Sequence, residues 1–192
     1  MTGKQVSDVQ ATEARAVKAR IATVWLDGCS GCHMSLLDID ERLILLEDKI
    51  ELVYSPLVDA KQFPKNVDVT LVEGSVSTED DLHKIKLIRK NSKILVSLGD
   101  CAVTGNIPSM RTVFSLESVM ERVYDENATI NKQVPSKDVP KLLERVLTLH
   151  EVVDVDVFIP GCPPSADTIF FAISELLEGR IPDLTFTARF GA

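Results

Sequence analysis

The sequence predicts an α/β fold of the flavodoxin-like kind, a doubly wound parallel sheet with helices on both faces. Two observations predict it. Short β-branched apolar runs alternate along the chain with segments of helical periodicity. Those runs are nearly continuous in apolar residues instead of alternating with polar ones, as expected of strands covered from both sides by right-handed crossovers.

Met1 to about Ala19 is polar and rich in Ala, Lys, Arg and Glu, and reads as a tail (1–19) ahead of a single domain (20–192). Ile21 to Leu26 is a β-branched run and reads as the first strand, with Trp25 in the core. Leu36, Ile39, Leu43 and Leu46 then recur at helical spacing. Ile50 to Tyr54 reads as a second strand and Val67 to Val72 as a third. Thr78-Glu-Asp-Asp81 forms a capping box that opens a helix to about Lys90, closed by Asn91. Lys93 to Leu98 is a fourth strand, followed by a long loop bearing Gly, Pro and Asn. Ser115 to Tyr124 looks helical, and Asn127 to Asp138 reads as another loop. Leu142, Val146, Leu149 and Val153 mark a helix. Val155 to Ile159 is the last core strand, and Ile169, Ile173 and Leu176 mark a last long helix.

With 192 residues, 45% hydrophobic and 26% charged, the chain suffices for one domain with a sizeable core. A formal net charge of −8, without any basic run, disfavours nucleic acid and anionic membrane surfaces as partners. The first twenty residues lack the apolar core of a secretory signal, and no stretch of about 18 apolar residues is present to span a bilayer. The expectation is a cytoplasmic protein with protein or cofactor partners.

All four cysteines, Cys29, Cys32, Cys101 and Cys162, fall just after predicted strands and beside glycine or proline, where the backbone turns closely around a bulky group. Ligands of doubly wound sheets bind at the carboxyl ends of the strands, so the three cysteine segments should meet on one edge, together with Glu73-Gly-Ser75. In a reducing compartment such cysteines are ligands or catalysts more often than disulfides. An iron–sulfur cluster suits loops converging from several strands. A structural four-thiolate zinc site and thiol redox chemistry are the alternatives, but zinc ribbons usually pair two CxxC knuckles in a small domain, and this chain has one CxxC plus two lone cysteines.

Trp25-Leu-Asp-Gly-Cys-Ser-Gly-Cys-His33, Val72-Glu-Gly-Ser75, Gly99-Asp-Cys-Ala-Val-Thr-Gly105 and Pro160-Gly-Cys-Pro-Pro164 together resemble the small subunit of [NiFe] hydrogenases. The similarity runs from about Ile21 to Leu177 and is greatest to the short small subunits of soluble, bidirectional NAD-reducing enzymes. The resemblance implies that Cys29, Cys32, Cys101 and Cys162 bind one proximal [4Fe-4S] cluster. It also implies a Ni-Fe centre on a separate large subunit, FMN and Fe-S clusters on diaphorase subunits, and reversible oxidation of H2 with NAD+. On this reading the chain conducts electrons and breaks no bond itself.

Longer relatives begin with a twin-arginine signal and carry further cluster ligands after this domain. This sequence shows neither, so one cluster is expected. The cluster-bearing subunit of NADH:quinone oxidoreductase shares a Gly-Cys-Pro-Pro motif but typically has adjacent cysteines at the first position. The CxxC spacing here favours hydrogenase, with sulfhydrogenases and F420-reducing relatives as neighbours of the same type. A flavin in the fold would need a phosphate cradle, and no GxGxxG or P-loop pattern supports one. His33 is expected beside the cluster and not on it; Glu73 is either a proton relay or a loop hydrogen-bond acceptor. Asp27 and Asp100 touch a partner or form turns. His83 and His150, on expected helices, are read as solvated or satisfied residues without chemistry.

Overall fold

The computed structural model describes residues 17–188. Five strands, β1 (Ala19–Trp25), β2 (Ile50–Tyr54), β3 (Val67–Glu73), β5 (Ser92–Leu98) and β7 (Val157–Ile159), form one sheet in the order β2-β1-β3-β5-β7, all neighbours parallel. That is the flavodoxin-like order, and the expected fold class is borne out. A separate antiparallel pair joins β4 (Val76–Thr78) to β6 (Leu142–Leu147).

Alternation along each strand builds a core on each face. Ile21, Val69, Leu71, Val96, Leu98, Val157 and Ile159 pack with Ile39, Leu46, Ile169, Ile173 and Leu176 on one side. Val24, Val72 and Leu95 point the other way, onto Ile85, Ile88, Ala102 and Leu149. The first face is covered by α1 (Gly31–Leu37), α2 (Ile44–Glu47) and α6 (Ala166–Leu177). The second is covered by α3 (Glu79–Asn91) and by α4 (Asp100–Thr104). The Thr78 hydroxyl accepts from the Asp81 N–H at 3.0 Å and the Asp81 carboxylate accepts from the Thr78 N–H at 3.0 Å, which is the capping box read from the sequence.

Four expectations change. Leu142 to Val153 is not a helix. Its first half is β6, whose Leu147 and Leu142 pair with Val76 and Thr78 of β4, and its second half is a 3-10 turn at Leu149–Glu151. Helical spacing over so few residues yields to a tertiary partner, because an unpaired β4 edge leaves backbone donors without acceptors. The run Leu36 to Leu46 is broken: α1 ends at Leu37, Asp40 takes a left-handed φ of 53°, and a 3-10 turn at Asp40–Leu43 leads into α2. Ile39 and Leu46 still reach the core. The loop expected after Leu98 opens with α4 and continues through a 3-10 segment at Pro108–Val113. Trp25 is not core but 40% exposed, its ring edge-on to His33 at 5.5 Å between centroids.

Of the expected tail, residues 1–16 lie outside the described residues, and β1 begins at Ala19. Among the described residues no helix is long and apolar enough to cross a membrane. Leu71, fully buried between the sheet and its helices, tests the first core: Leu71→Ala should lower the unfolding free energy in urea titrations by about 2–5 kcal/mol.

Candidate metal centre

The strands end level. Trp25 pairs with Glu73, Glu73 with Leu98 and Leu98 with Ile159, so the loops carrying Cys29, Cys32, Cys101 and Cys162 leave the sheet from adjacent points. Because β2 lies on one side of β1 and β3 on the other, Cys29 and Cys32 also stand where the winding reverses, the place at which such sheets bind ligands. The structure brings all four cysteines together. They line one cavity of about 80 Å³, with Gly31, Glu73, Gly74, Asp100, Gly161 and Pro163.

Hydrogen bonds between segments far apart in sequence hold this arrangement. Asp27 and Ser75 exchange backbone bonds, the Asp27 N–H to Ser75 at 3.1 Å and the Ser75 N–H to Asp27 at 2.8 Å. The Ser77 hydroxyl donates to the Asp27 carboxylate. On the other side the Asp100 N–H donates to the Gly161 carbonyl at 2.8 Å, and the Asp100 carboxylate accepts from the Gly161 N–H at 2.7 Å. Asp27 and Asp100 therefore do brace loops. Ser35 of α1 donates its hydroxyl to the Pro164 carbonyl at 2.5 Å, joining the first cysteine segment to the last.

Two glycines are required by geometry. A Cβ on Gly99 (φ +82°) would stand 2.2 Å from the Cys32 Sγ, so only glycine lets this thiol come up to the end of β5. A Cβ on Gly74 (φ +87°) would meet the Asp27 carbonyl oxygen at 2.8 Å and block the pairing of its loop with the CxxC loop.

Glu73 and His33 are each 2% exposed. Glu73 Oε2 accepts from the His33 N–H at 2.7 Å and lies 2.5 Å from the His33 Nδ1. Both contacts lie on the Nδ1 side of the ring, and Nε2 is left buried without a partner among the described residues. His83, on α3, and His150, in the 3-10 turn after β6, are both exposed and take no part in this site, as read.

The electrostatics of the donor set call for positive charge. The Cys32 thiol is pushed far up from its ordinary pKa, first by burial and then by the negative charge of Glu73 and the other three cysteines. The Cys101 thiol is pushed up to about 11, by burial and then by Cys162, Cys29 and Glu73, against a lowering hydrogen bond from the Asn106 side chain. Four thiolates are unfavourable here unless cations compensate them, and metal binding supplies that compensation while displacing the protons. Among the described residues no three His, Cys, Asp or Glu side chains close on a single ion. The sulfurs instead surround a space several times the roughly 10–15 Å³ that one water needs. That space has room for a polynuclear cluster with one thiolate per iron.

Asn106 was outside the motifs read from the sequence. Its Nδ2 donates to the Cys162 Sγ at 3.3 Å. The signal that could have found it was its type and place, an Asn directly after the glycine that closes the Cys101 segment, where a left-handed turn is readily formed.

The sheet and its four-cysteine edge define a class, the cysteine-bearing small subunits of oxidoreductase complexes. The chain belongs to the family described as NADH ubiquinone oxidoreductase, 20 Kd subunit, whose pattern matches residues 29–176. Within it the resemblance to hydrogenase small subunits holds. The chain is 42% identical over 175 residues to the NAD-reducing hydrogenase HoxS subunit delta of Cupriavidus necator, covering 88% of this chain and 84% of that one. It is 41% identical over 167 residues to a subunit of the F420-non-reducing hydrogenase vhu of Methanocaldococcus jannaschii, covering 86% of this chain but 58% of that longer protein. A chain of the NAD+-reducing [NiFe]-hydrogenase in the H2-reduced state superimposes with a TM-score of 0.86 at 38% identity, covering 91% of this chain and 99% of that one. These relatives are subunits of hydrogenases.

Replacing Gly99 tests the closeness of Cys32 to the strand end. Gly99→Ala should destabilise the fold by at least about 1–3 kcal/mol and lower its melting temperature in thermal unfolding, since neither φ nor space admits a methyl group.

Proposed function

We propose that this chain is the electron-transfer small subunit of a soluble, cytoplasmic NAD-reducing [NiFe] hydrogenase, folded as a single domain over 20–192, in which Cys29, Cys32, Cys101 and Cys162 hold one [4Fe-4S] cluster. The observation that carries the reading is the convergence of all four thiols on one cavity at the winding reversal of the sheet. Similarity over most of both chains to an NAD-reducing hydrogenase subunit supports it. A bound cluster supplies one-electron transfer without making or breaking a bond to hydrogen. The Ni-Fe centre then belongs to a large subunit and FMN to diaphorase subunits, with H2 + NAD+ giving H+ + NADH across the assembly.

The chain's own residues position and insulate. Gly99 lets Cys32 approach, the Asp27 and Asp100 braces tie the four loops together in two pairs, and Glu73 holds the turn after Cys32 through the His33 N–H. Glu73 and His33 stand behind the thiols; their buried pair offers a donor and acceptor next to the centre, the chemistry a proton relay uses. The loop after Cys101 leads into Ile107, Met110, Val113 and Phe114, all exposed, so the cysteine edge is bordered by apolar surface suited to a partner subunit.

Anaerobic purification through a tag on this chain, with analysis of iron, sulfide, zinc and nickel, tests the reading. About four irons per chain and a nickel-bearing partner are expected; one zinc and no iron would leave only a structural site. Cys29→Ala or Cys162→Ala should abolish cluster assembly and H2-dependent NAD+ reduction, and full activity in an iron-free variant would overturn the assignment.

A further inference from the structure

We infer that Asn106 sets the reduction potential of the metal centre, by donating its side-chain amide hydrogen to the sulfur of Cys162 from across the site. The inference rests on the cluster reading above. Asn106 Nδ2 lies 3.3 Å from the Cys162 Sγ and donates to it, although Asn106 belongs to the loop after β5 and Cys162 to the loop after β7.

The backbone is built to aim this side chain. Gly105 ends α4 in the left-handed region, and Asn106 continues at φ 34°. The Asn106 carbonyl accepts from the Ser109 hydroxyl at 2.7 Å and from the Ser109 N–H at 3.2 Å, which pins the residue to the start of the 3-10 segment. Asn106 thus bridges the loop after β5 to the loop after β7 at the Cys162 sulfur itself.

Electrostatics give the direction. Uptake of one electron, with no proton, adds one negative charge that is shared with the thiolate sulfurs. A donor N–H stabilises that added charge more in the reduced than in the oxidised state, so it raises the potential. Removing the donor should lower it, and replacing the amide with a carboxylate should lower it further by repulsion. For a charge-assisted hydrogen bond the change is about tenfold in the ratio of reduced to oxidised centre at fixed potential, or about 59 mV for a one-electron couple.

The test uses the full chain with its co-purifying partners, wild type beside Asn106→Gly and Asn106→Asp. Glycine keeps the left-handed backbone and deletes the amide; aspartate keeps the shape and deletes the donor. Iron content is measured first, then the midpoint potential by dithionite titration followed by EPR, the signal being assigned by its loss in Cys162→Ser. The expected order of potentials is wild type, then Asn106→Gly, then Asn106→Asp, each step to more negative values at unchanged iron content. Equal potentials in iron-loaded variants would overturn the role of Asn106 while leaving the cluster reading intact. An iron-free wild type would overturn the cluster reading itself. Should Asn106→Gly fail to load iron, Asn106→Asp decides by the same criterion, because its shape and turn preference match asparagine.

Discussion

Four parallel strands end at paired positions, Trp25 beside Glu73, Glu73 beside Leu98 and Leu98 beside Ile159, and the loops that follow emerge along a single edge. Hydrogen-bonded register is what brings four thiols from three distant segments into one cavity. No side-chain contact between the cysteines themselves would do this, since their charges repel and burial adds to the cost. The sheet absorbs that penalty. Its two apolar cores, one on each face, hold the strand ends in place against a donor set that would otherwise spread apart.

Charge is managed in the same small volume. Glu73 is a buried carboxylate close to thiols whose deprotonation it opposes, yet it is kept by two contacts with His33, one to the backbone and one to the ring. It therefore fixes the turn after Cys32 while adding to the negative field that a bound cationic centre would neutralise. Asp100 plays the matching part between the Cys101 and Cys162 loops, accepting from the Gly161 N–H. Carboxylates serve as braces on both sides of the cavity because each loop turns with backbone N–H groups facing inward and needing acceptors.

The division of labour follows from these contacts. A site built of thiols, close-fitting glycines and braced loops suits the proposed task of holding an electron carrier rigidly and offering it to neighbours. Rigidity is useful for that task, since small changes in the environment of a redox centre alter its potential. The exposed apolar residues from Ile107 to Phe114 begin directly beyond Asn106, so the surface that would meet a partner and the amide that touches the Cys162 sulfur belong to one continuous segment.

Much of this was legible in the residues. The strands, the capping box at Thr78, the parallel fold and the convergence of Cys29, Cys32, Cys101 and Cys162 follow from apolar runs and from turn residues placed after them, because local patterning reports which chain segments need burial on which faces. What the tertiary structure alone decided are matters of partnership. The stretch from Leu142 became a strand because β4 offered an edge, and Trp25 stayed at the surface because the strand ends there. Likewise Glu73 found His33, Gly99 made room for Cys32, and Asn106 reached Cys162 across 56 positions of sequence. The sequence by itself determined which elements form and which atoms are available for chemistry. Register and loop packing determined which of those atoms meet, since distances between segments are set by the folded sheet and leave no trace in the local pattern of any one segment.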